Sequence, residues 1–91
     1  MRQRIRKNAK RKIDAIFNEA SFALCFSLDN GFAAQEINEG DLFVREDGTF
    51  KRATLAEFLR NQFDMFGGEL YKEENCSHTL KIHSNLWYTI G

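Results

Sequence analysis

Apolar residues in the first twenty positions recur mostly at helical spacing. One stripe, with steps of three and four, contains Ile5, Ala9, Ile13, Ile16, Phe17 and Ala20. Such a stripe forms one side of an amphipathic helix. It is thin before Ile13 and dense after it. The pattern predicts a helix from about Arg2 to Glu19 whose second half packs on the protein, while its start, residues 1–12, projects.

The segment that follows alternates in side-chain size. Larger residues occupy Phe22, Leu24, Phe26 and Leu28, and smaller ones occupy Ala23, Cys25 and Ser27. This period of two predicts a strand with one face in the core. Asp29-Asn30-Gly31 predicts a turn, because Asn and Gly tolerate a positive φ. Residues 32–39 fit either a second strand or a short helix that Gly40 ends, and we favour the strand.

Residues 41–52 predict a hairpin whose register decides its faces. A three-residue loop at 46–48 places Val44 opposite Phe50, on a common side. A two-residue loop instead pairs Val44 with Lys51. We choose the three-residue loop because it separates apolar from polar positions more cleanly.

The clearest helix signal begins at Thr54. Thr54-Leu-Ala-Glu57 is a capping box, in which the Thr54 hydroxyl accepts from the Glu57 amide and the Glu57 carboxylate reaches back. An apolar face follows at Leu55, Phe58, Leu59, Phe63 and Phe66. Gly67-Gly68 is typical of a helix end. The signals predict an amphipathic helix at about Leu55–Phe66.

Two or three strands are predicted to close the fold, near Glu69–Glu73, His78–His83 and Trp87–Ile90. Together the elements predict an α+β fold. Residues 1–91 would form a single small domain, an antiparallel sheet with a basic N-terminal helix and one capped amphipathic helix packed on it.

The register of the last hairpin decides where Trp87 lies. A two- or four-residue loop pairs Ile82 with Trp87 and mixes both faces. A three-residue loop pairs His83 with Trp87 and Ile82 with Tyr88, so the apolar residues share one face. One-sided burial selects register strongly, and we choose this second register. It leaves Trp87 partly exposed beside Lys81 and His83, a candidate partner-binding group, since Trp is enriched at interface hot spots. The alternative is that another element covers Trp87.

Charge is unevenly distributed along the chain. Residues 1–20 carry a net charge of +5 and residues 21–91 a net charge of −5, although the whole chain is formally neutral. Such asymmetry concerns partners rather than fold. The candidate partner-binding cations are Arg2, Arg4, Arg6, Lys7, Lys10, Arg11 and Lys12. In composition this segment resembles the arginine-rich helices that bind RNA, which implies contacts to phosphates. The alternative is a solvated helix that balances the acidic remainder.

Residue types for metal binding or catalysis occur without a complete motif. Cys76, His78 and His83, with Cys25, suit zinc, but the odd offset places the two histidines on opposite faces of one strand. A Cys76–His78 pair would have Glu73 and Glu74 upstream, which raise a thiol pKa. We therefore expect no metal, no cofactor and no catalytic residues. A metal-independent ribonuclease using His83, Lys81, Arg52, Arg60 and Tyr88 remains a minority hypothesis.

The sequence favours a non-enzymatic binding module, a small protein-binding regulator or inhibitor similar to those of phages and mobile elements. Its basic helix would meet an acidic or phosphate-bearing surface. A protein partner is slightly favoured over nucleic acid, and RNA or DNA binding is the alternative. Two cysteines are too few for a disulfide framework, and we find no signal peptide and no apolar run of about twenty residues. These features predict a cytoplasmic protein without a membrane partner.

Overall fold

A computed structural model describes residues 2–27 and 33–91 of the chain. Alternating segments form strands, and the two longer amphipathic segments of these ranges form helices. The described elements are β1 (Gln3–Ile5), α1 (Lys10–Glu19), β2 (Ala23–Ser27), β3 (Ala33–Glu36), a 3-10 helix (Glu39–Asp41), β4 (Phe43–Glu46), β5 (Thr49–Arg52), α2 (Leu55–Phe66), β6 (Glu69–Lys72), β7 (His78–His83) and β8 (Leu86–Ile90).

Six of the strands in the described ranges form an antiparallel sheet in the order β1-β6-β7-β8-β2-β3. The consecutive strands β6, β7 and β8 form its centre, and β1 and β2 pair with the two sides of that unit. Helix α1 connects β1 to β2, and α2 leads into β6. Both helices pack on the same face of the sheet. The fold is therefore α+β, as the sequence predicts.

The core lies between the two helices and one face of the sheet. The helices contribute Ile13, Phe17, Leu55, Leu59 and Phe63, and the sheet contributes Ile5, Ala23, Leu70, Leu80, Tyr88 and Ile90. Phe17 and Phe63 meet edge to face with ring centroids 6.1 Å apart. Arg60 of α2 also binds Asp14 of α1, which joins the helices at their polar margin. In residues 2–27 and 33–91, no helix has both the length and the apolar character needed to cross a bilayer.

The prediction of a helix from Arg2 is wrong in its first half. Helix α1 begins only at Lys10, and β1 precedes it as an edge strand. Ile5, only 4% exposed, pairs with Leu70 and reaches the core from this strand. Pairing with β6 thus satisfies backbone groups and buries Ile5. A longer helix would instead place several cations at its N-terminus, against the macrodipole.

Strand β2 is confirmed, but its larger residues do not face the helices. Ala23 is fully buried and Cys25 packs against the core, whereas Leu24 and Phe26 lie on the opposite face. Small side chains fit where the helices lie close to the sheet. The strand predicted within residues 32–39 is also confirmed as β3. The turn predicted at 29–31 lies outside the described residues.

The register predicted for the β4–β5 hairpin is wrong. The structure has a two-residue loop, so Val44 pairs with Lys51 and Arg45 pairs with Phe50. Asp47 and Gly48 have φ values of 50° and 79°. Two central residues with positive φ form a turn whose twist matches that of a hairpin. Turn geometry therefore decided the register, and it left Phe50 exposed.

Helix α2 is confirmed together with its capping box. The Glu57 amide donates to the Thr54 hydroxyl at 3.2 Å, and the Thr54 amide donates to the Glu57 carboxylate at 3.0 Å. Gly67 ends the helix in the left-handed region, with a φ of 61°. Both ends of α2 are thus specified by local sequence.

The last hairpin differs from both registers considered from the sequence. His83 pairs with Leu86 across a two-residue loop, Lys81 pairs with Trp87, and the ladder is irregular between Lys81 and His83. This bulge absorbs one extra residue, Ile82. The predicted face still forms, because Leu80, opposite Tyr88, is buried with it. The pairing of His83 with Trp87 is wrong.

Candidate functional site

The sheet has two faces that differ in what lies on them. Both helices pack on one face, and no element of residues 2–27 or 33–91 packs on the other. Strand registers place alternate residues on this uncovered side. We call it the open face and define it by Arg2, Arg4, Leu24, Phe26, Glu69, Tyr71, Glu73, Thr79, Lys81, Trp87 and Thr89.

Trp87 lies near the middle of the open face. Its ring stacks on Phe26 of the neighbouring strand, with centroids 6.0 Å apart and planes inclined by 22°. On its other side it pairs with Lys81 of β7. Trp87 is half-buried, as expected, and it lies beside Lys81 as the sequence predicts. His83 pairs with Leu86, which neighbours Trp87 in β8, so His83 belongs to the other side of the sheet.

Arg2 reaches from the edge of the sheet over the open face. Its guanidinium lies 5.1 Å from the centroid of the Tyr71 ring, and its Nε donates to Glu73 Oε1 at 3.0 Å. The Thr79 hydroxyl donates to the other oxygen of Glu73. The hydrogen bond from Arg2 and then that from Thr79 hold the pKa of Glu73 below its usual value. Glu73 therefore stays ionised and fixes Arg2 in place.

A second pair of polar contacts holds Tyr71. Its hydroxyl donates to Glu69, and this hydrogen bond raises the pKa of Tyr71 and lowers the pKa of Glu69. The Nε of Arg4 lies 4.0 Å from the same carboxylate. Tyr71 therefore stays neutral, with its ring between two arginines. A fixed aromatic ring of this kind loses little conformational entropy when a partner binds.

Two adjoining clefts indent the open face. One of about 550 Å³ is lined by Glu73, Glu74, Asn75, Ser77 and Thr89, together with Arg2, Thr79 and Trp87. The other, of about 160 Å³, is lined by Lys81 and Ser84 and by the same Arg2, Thr79 and Trp87. The three shared residues thus form the wall between two depressions.

The structure separates the seven cations of the basic segment into three groups: Arg2 with Arg4, Arg6 with Lys7, and the three cations in the first turn of α1. Arg2 and Arg4 lie on the open face. Lys7 Nζ donates to the carbonyl oxygen of Gly67 at 2.9 Å, where a cation stabilises the C-terminus of α2. Arg6 lines, with Arg4, Lys7 and Asn8, a surface cleft of about 550 Å³. The remaining group, exposed in the first turn of α1, comprises Lys10, Arg11 and Lys12.

The residues considered for a ribonuclease are not gathered at one place. Tyr88 faces the core and donates to Gln62 at 3.2 Å, and burial raises the pKa of Tyr88 to about 12. Lys81 lies on the opposite face of the sheet, and Arg60 is bound to Asp14 between the helices. Arg52 belongs to the separate hairpin. The arrangement supplies no common position for a phosphate.

The residues considered for metal binding or a thiol nucleophile also lack a shared geometry. Among the residues that the structure describes, no three His, Cys, Asp or Glu side chains are placed to hold a metal ion. Cys76 and His78 line one small cleft of about 130 Å³ with Glu19. Burial lowers the pKa of His78, which favours the neutral imidazole. A neutral imidazole does not supply the positive charge that stabilises a thiolate.

Sequence reasoning missed Tyr71, Thr79 and Phe26 as members of the candidate site. Alternation within β6 places Tyr71 on the face opposite that of the buried Leu70, and this was a usable signal. The registers between neighbouring strands were needed to place Tyr71 and Phe26 on the same face as Trp87. Comparisons with protein-family models, with curated proteins and with solved structures gave no match to this chain.

Proposed function

We propose that the protein is a non-enzymatic binding module and that the open face of its sheet contacts a protein partner. One observation carries this proposal: Arg2, Tyr71 and Trp87, which are distant in the sequence, lie on one face of the sheet that no described element covers. Trp, Tyr and Arg are the residue types most enriched at the energetic centres of protein interfaces.

The charges of the open face favour protein over nucleic acid. Each arginine there has a carboxylate beside it, Glu73 for Arg2 and Glu69 for Arg4. These carboxylates would repel phosphates brought close to the rings. A protein surface, in contrast, can supply both donors and acceptors at the rim and an apolar group over Trp87. We further propose that the module acts as a small regulator or inhibitor by covering a surface of its partner.

The two cysteines support a cytoplasmic location as part of the proposal. Cys25 is half-buried and Cys76 exposed, and both thiols are free. Burial raises the pKa of the Cys25 thiol, which makes it a weak nucleophile. Free thiols of this kind suit a reducing compartment.

Affinity capture with matched variants tests the proposal. Immobilised protein is exposed to lysate of its native host cell with and without nuclease, and captured proteins are identified by mass spectrometry. We expect a specific protein that resists nuclease and is lost with Trp87→Ala and with Lys81→Glu. Phe66→Ala is the control, because Phe66 is 55% exposed but lies on α2, outside the open face.

Circular dichroism of each variant verifies that it is folded. If Trp87→Ala and Phe66→Ala change capture equally, the assignment of the partner contact to the open face is contradicted. Capture that is abolished both by nuclease and by replacing Lys10, Arg11 and Lys12 with Ala would favour the alternative, nucleic-acid binding through the basic segment. That alternative is supported by the exposed first turn of α1, where Lys10, Arg11 and Lys12 have no acidic residue among them.

A further inference from the structure

The β4–β5 hairpin carries aromatic and cationic side chains on one of its two faces. Phe43 pairs with Arg52 and Arg45 pairs with Phe50, so all four lie on the same side. The two rings occupy one diagonal of this face and the two guanidinium groups the other. Phe50 is 75% exposed and Phe43 is 48% exposed. We call this surface the hairpin face.

Glu46, the acidic residue within the paired strands, lies on the other side of the hairpin, and Asp47 lies in its loop. Lys51 and Glu46 belong to the opposite face and approach each other, with Nζ and Oε2 3.8 Å apart. The carboxylate of Glu57 is also close enough to Lys51 for that cation to contribute to lowering its pKa, after the larger effects of its hydrogen bonds with Thr54. Val44, the half-buried residue of β4, shares the Lys51 side as well. The hairpin face therefore presents positive charge within a stretch of chain, residues 21–91, whose net charge is −5.

The Phe50 side chain is not part of the core, because most of it is exposed. Large exposed apolar side chains in a cluster mark interaction sites more often than isolated ones do. Here Arg52 lies over the Phe43 ring, 5.9 Å from its centroid, which joins one cation of the hairpin face to one of its rings. The hairpin thus displays two rings flanked by two planar cations.

We propose that the hairpin face binds single-stranded nucleic acid. Phe43 and Phe50 stack against successive bases, and Arg45 and Arg52 contact the phosphates that flank them. Diagonal neighbours on a hairpin are about 7–8 Å apart, so each ring receives its own base. Stacking rings combined with backbone cations are the common features of surfaces that bind single strands without sequence preference.

Shape and charge favour a single strand over the other partners. A protein would need a pocket for the protruding Phe50 ring, whereas a base offers a flat π-surface directly. A long duplex would extend over the acidic remainder of the chain, whereas a short single strand contacts the hairpin alone. This inference goes beyond the proposed function, because it uses a surface separate from the open face and a different class of partner.

Fluorescence anisotropy with labelled oligonucleotides tests the inference. The probes are an oligothymidylate and an oligouridylate of about twelve nucleotides, a length within the site sizes of single-strand-binding folds. The unmodified protein is expected to bind at low salt and to lose affinity as salt rises. The two probes distinguish DNA from RNA, and a preference for either supports the inference.

Variants on the two faces of the hairpin separate specific contacts from general charge. Phe50→Ala is expected to weaken binding by about 5- to 160-fold, the fold-change that corresponds to loss of one stacked base. Arg45→Ala should weaken binding and reduce its salt dependence. Lys51→Ala is the matched control, since it removes the same charge from the opposite face, and it should change affinity little.

Four results would each overturn the inference. The first is absence of binding to both probes at low salt. The second is equal weakening by Lys51→Ala and Arg45→Ala. The third is unchanged binding with Phe50→Ala. The fourth is a nuclease-resistant protein whose capture requires Phe50, which would assign the hairpin face to a protein. None of these results alters the dependence of partner capture on Trp87, so the proposed function is tested separately.

Discussion

The two faces of the sheet use the same strands for opposite purposes. In β8, Tyr88 and Ile90 point to the helices and are 6% and 2% exposed, whereas Trp87, between Leu86 and Tyr88, lies half-buried on the open face. On the covered side, stability comes from apolar area removed from water. On the open side, side chains are held by hydrogen bonds and ring contacts with each other. The side chains of the open face are therefore positioned mainly by contacts with each other, although Thr79 among them is only 7% exposed.

The largest contrast is expected between neighbours of β7 that point to different faces. Leu80→Ala should lower the free energy of unfolding by about 2–5 kcal/mol, because Leu80 is fully buried and a cavity remains. Lys81→Ala, one residue along, should stay within about 0.5 kcal/mol of the unmodified protein. Urea denaturation measures both. Similar costs for the two variants would show that the faces do not differ as described.

Trp87→Ala sharpens the comparison, since it removes a larger side chain than Leu80→Ala does. We expect a smaller cost, about 1 kcal/mol for the lost ring pair with Phe26 together with a modest area term. Urea denaturation of both variants shows which of them loses more free energy of unfolding. A cost equal to or above that of Leu80→Ala would mean that Trp87 acts as a core residue and is not available to a partner.

Alkaline pH should weaken the covered face through Tyr88. Burial raises the pKa of Tyr88 to about 12 from an ordinary value of 10.0. The folded state therefore retains a proton that the unfolded chain loses first. The resulting stability is fully present below pH 10 and declines as pH rises from about 10 to 12. Tyr88→Phe should show less of this decline in urea denaturation across that range. If the stability of Tyr88→Phe declines as much as that of the unmodified protein, the decline comes from other titrating groups.

Acid should lower the stability of the protein through the open face, and the expected loss is smaller than that at alkaline pH. The pKa of Glu73 is lowered from 4.5 by Arg2 and Thr79. Folding therefore favours the ionised carboxylate, and this stability is present above about pH 4.5 and is lost as pH falls through the folded-state value. Glu73→Gln should flatten the acid limb of the stability profile, measured by urea denaturation at several pH values. Glu46→Gln, on the exposed hairpin, is the control. Equal flattening by both would contradict a special environment for Glu73.

Local signals in the sequence were sufficient for α2 and for most strands. Thr54 and Glu57 act on backbone groups within one turn, so no distant contact was needed to place the helix start. The start of the chain is different. Ile5 fits a helical stripe with Ile13, but its burial depends on Leu70, which is distant in sequence. A non-local partner therefore overruled local periodicity.

Register limited the prediction of the candidate site. For the β4–β5 hairpin, separation of apolar from polar positions suggested one loop length, and the φ values accessible to Asp47 and Gly48 selected another. For the last hairpin, the bulge at Ile82 preserved the predicted core face while changing the neighbours of Trp87. The residues of a face can be inferred from alternation, but their neighbours depend on turns and bulges.

The sheet order has a consequence for how fast the protein folds. Strands β6, β7 and β8 are joined by short turns and are able to pair early, whereas β1 and β2 must reach this unit from distant parts of the chain. Such non-local pairing costs loop-closure entropy before its contacts form, and it slows folding relative to helical proteins of similar size. Until β1 arrives, the edge of β6 and the ring of Tyr71 lack their arginine partners. The open face is therefore expected to be among the last parts of the molecule to be completed.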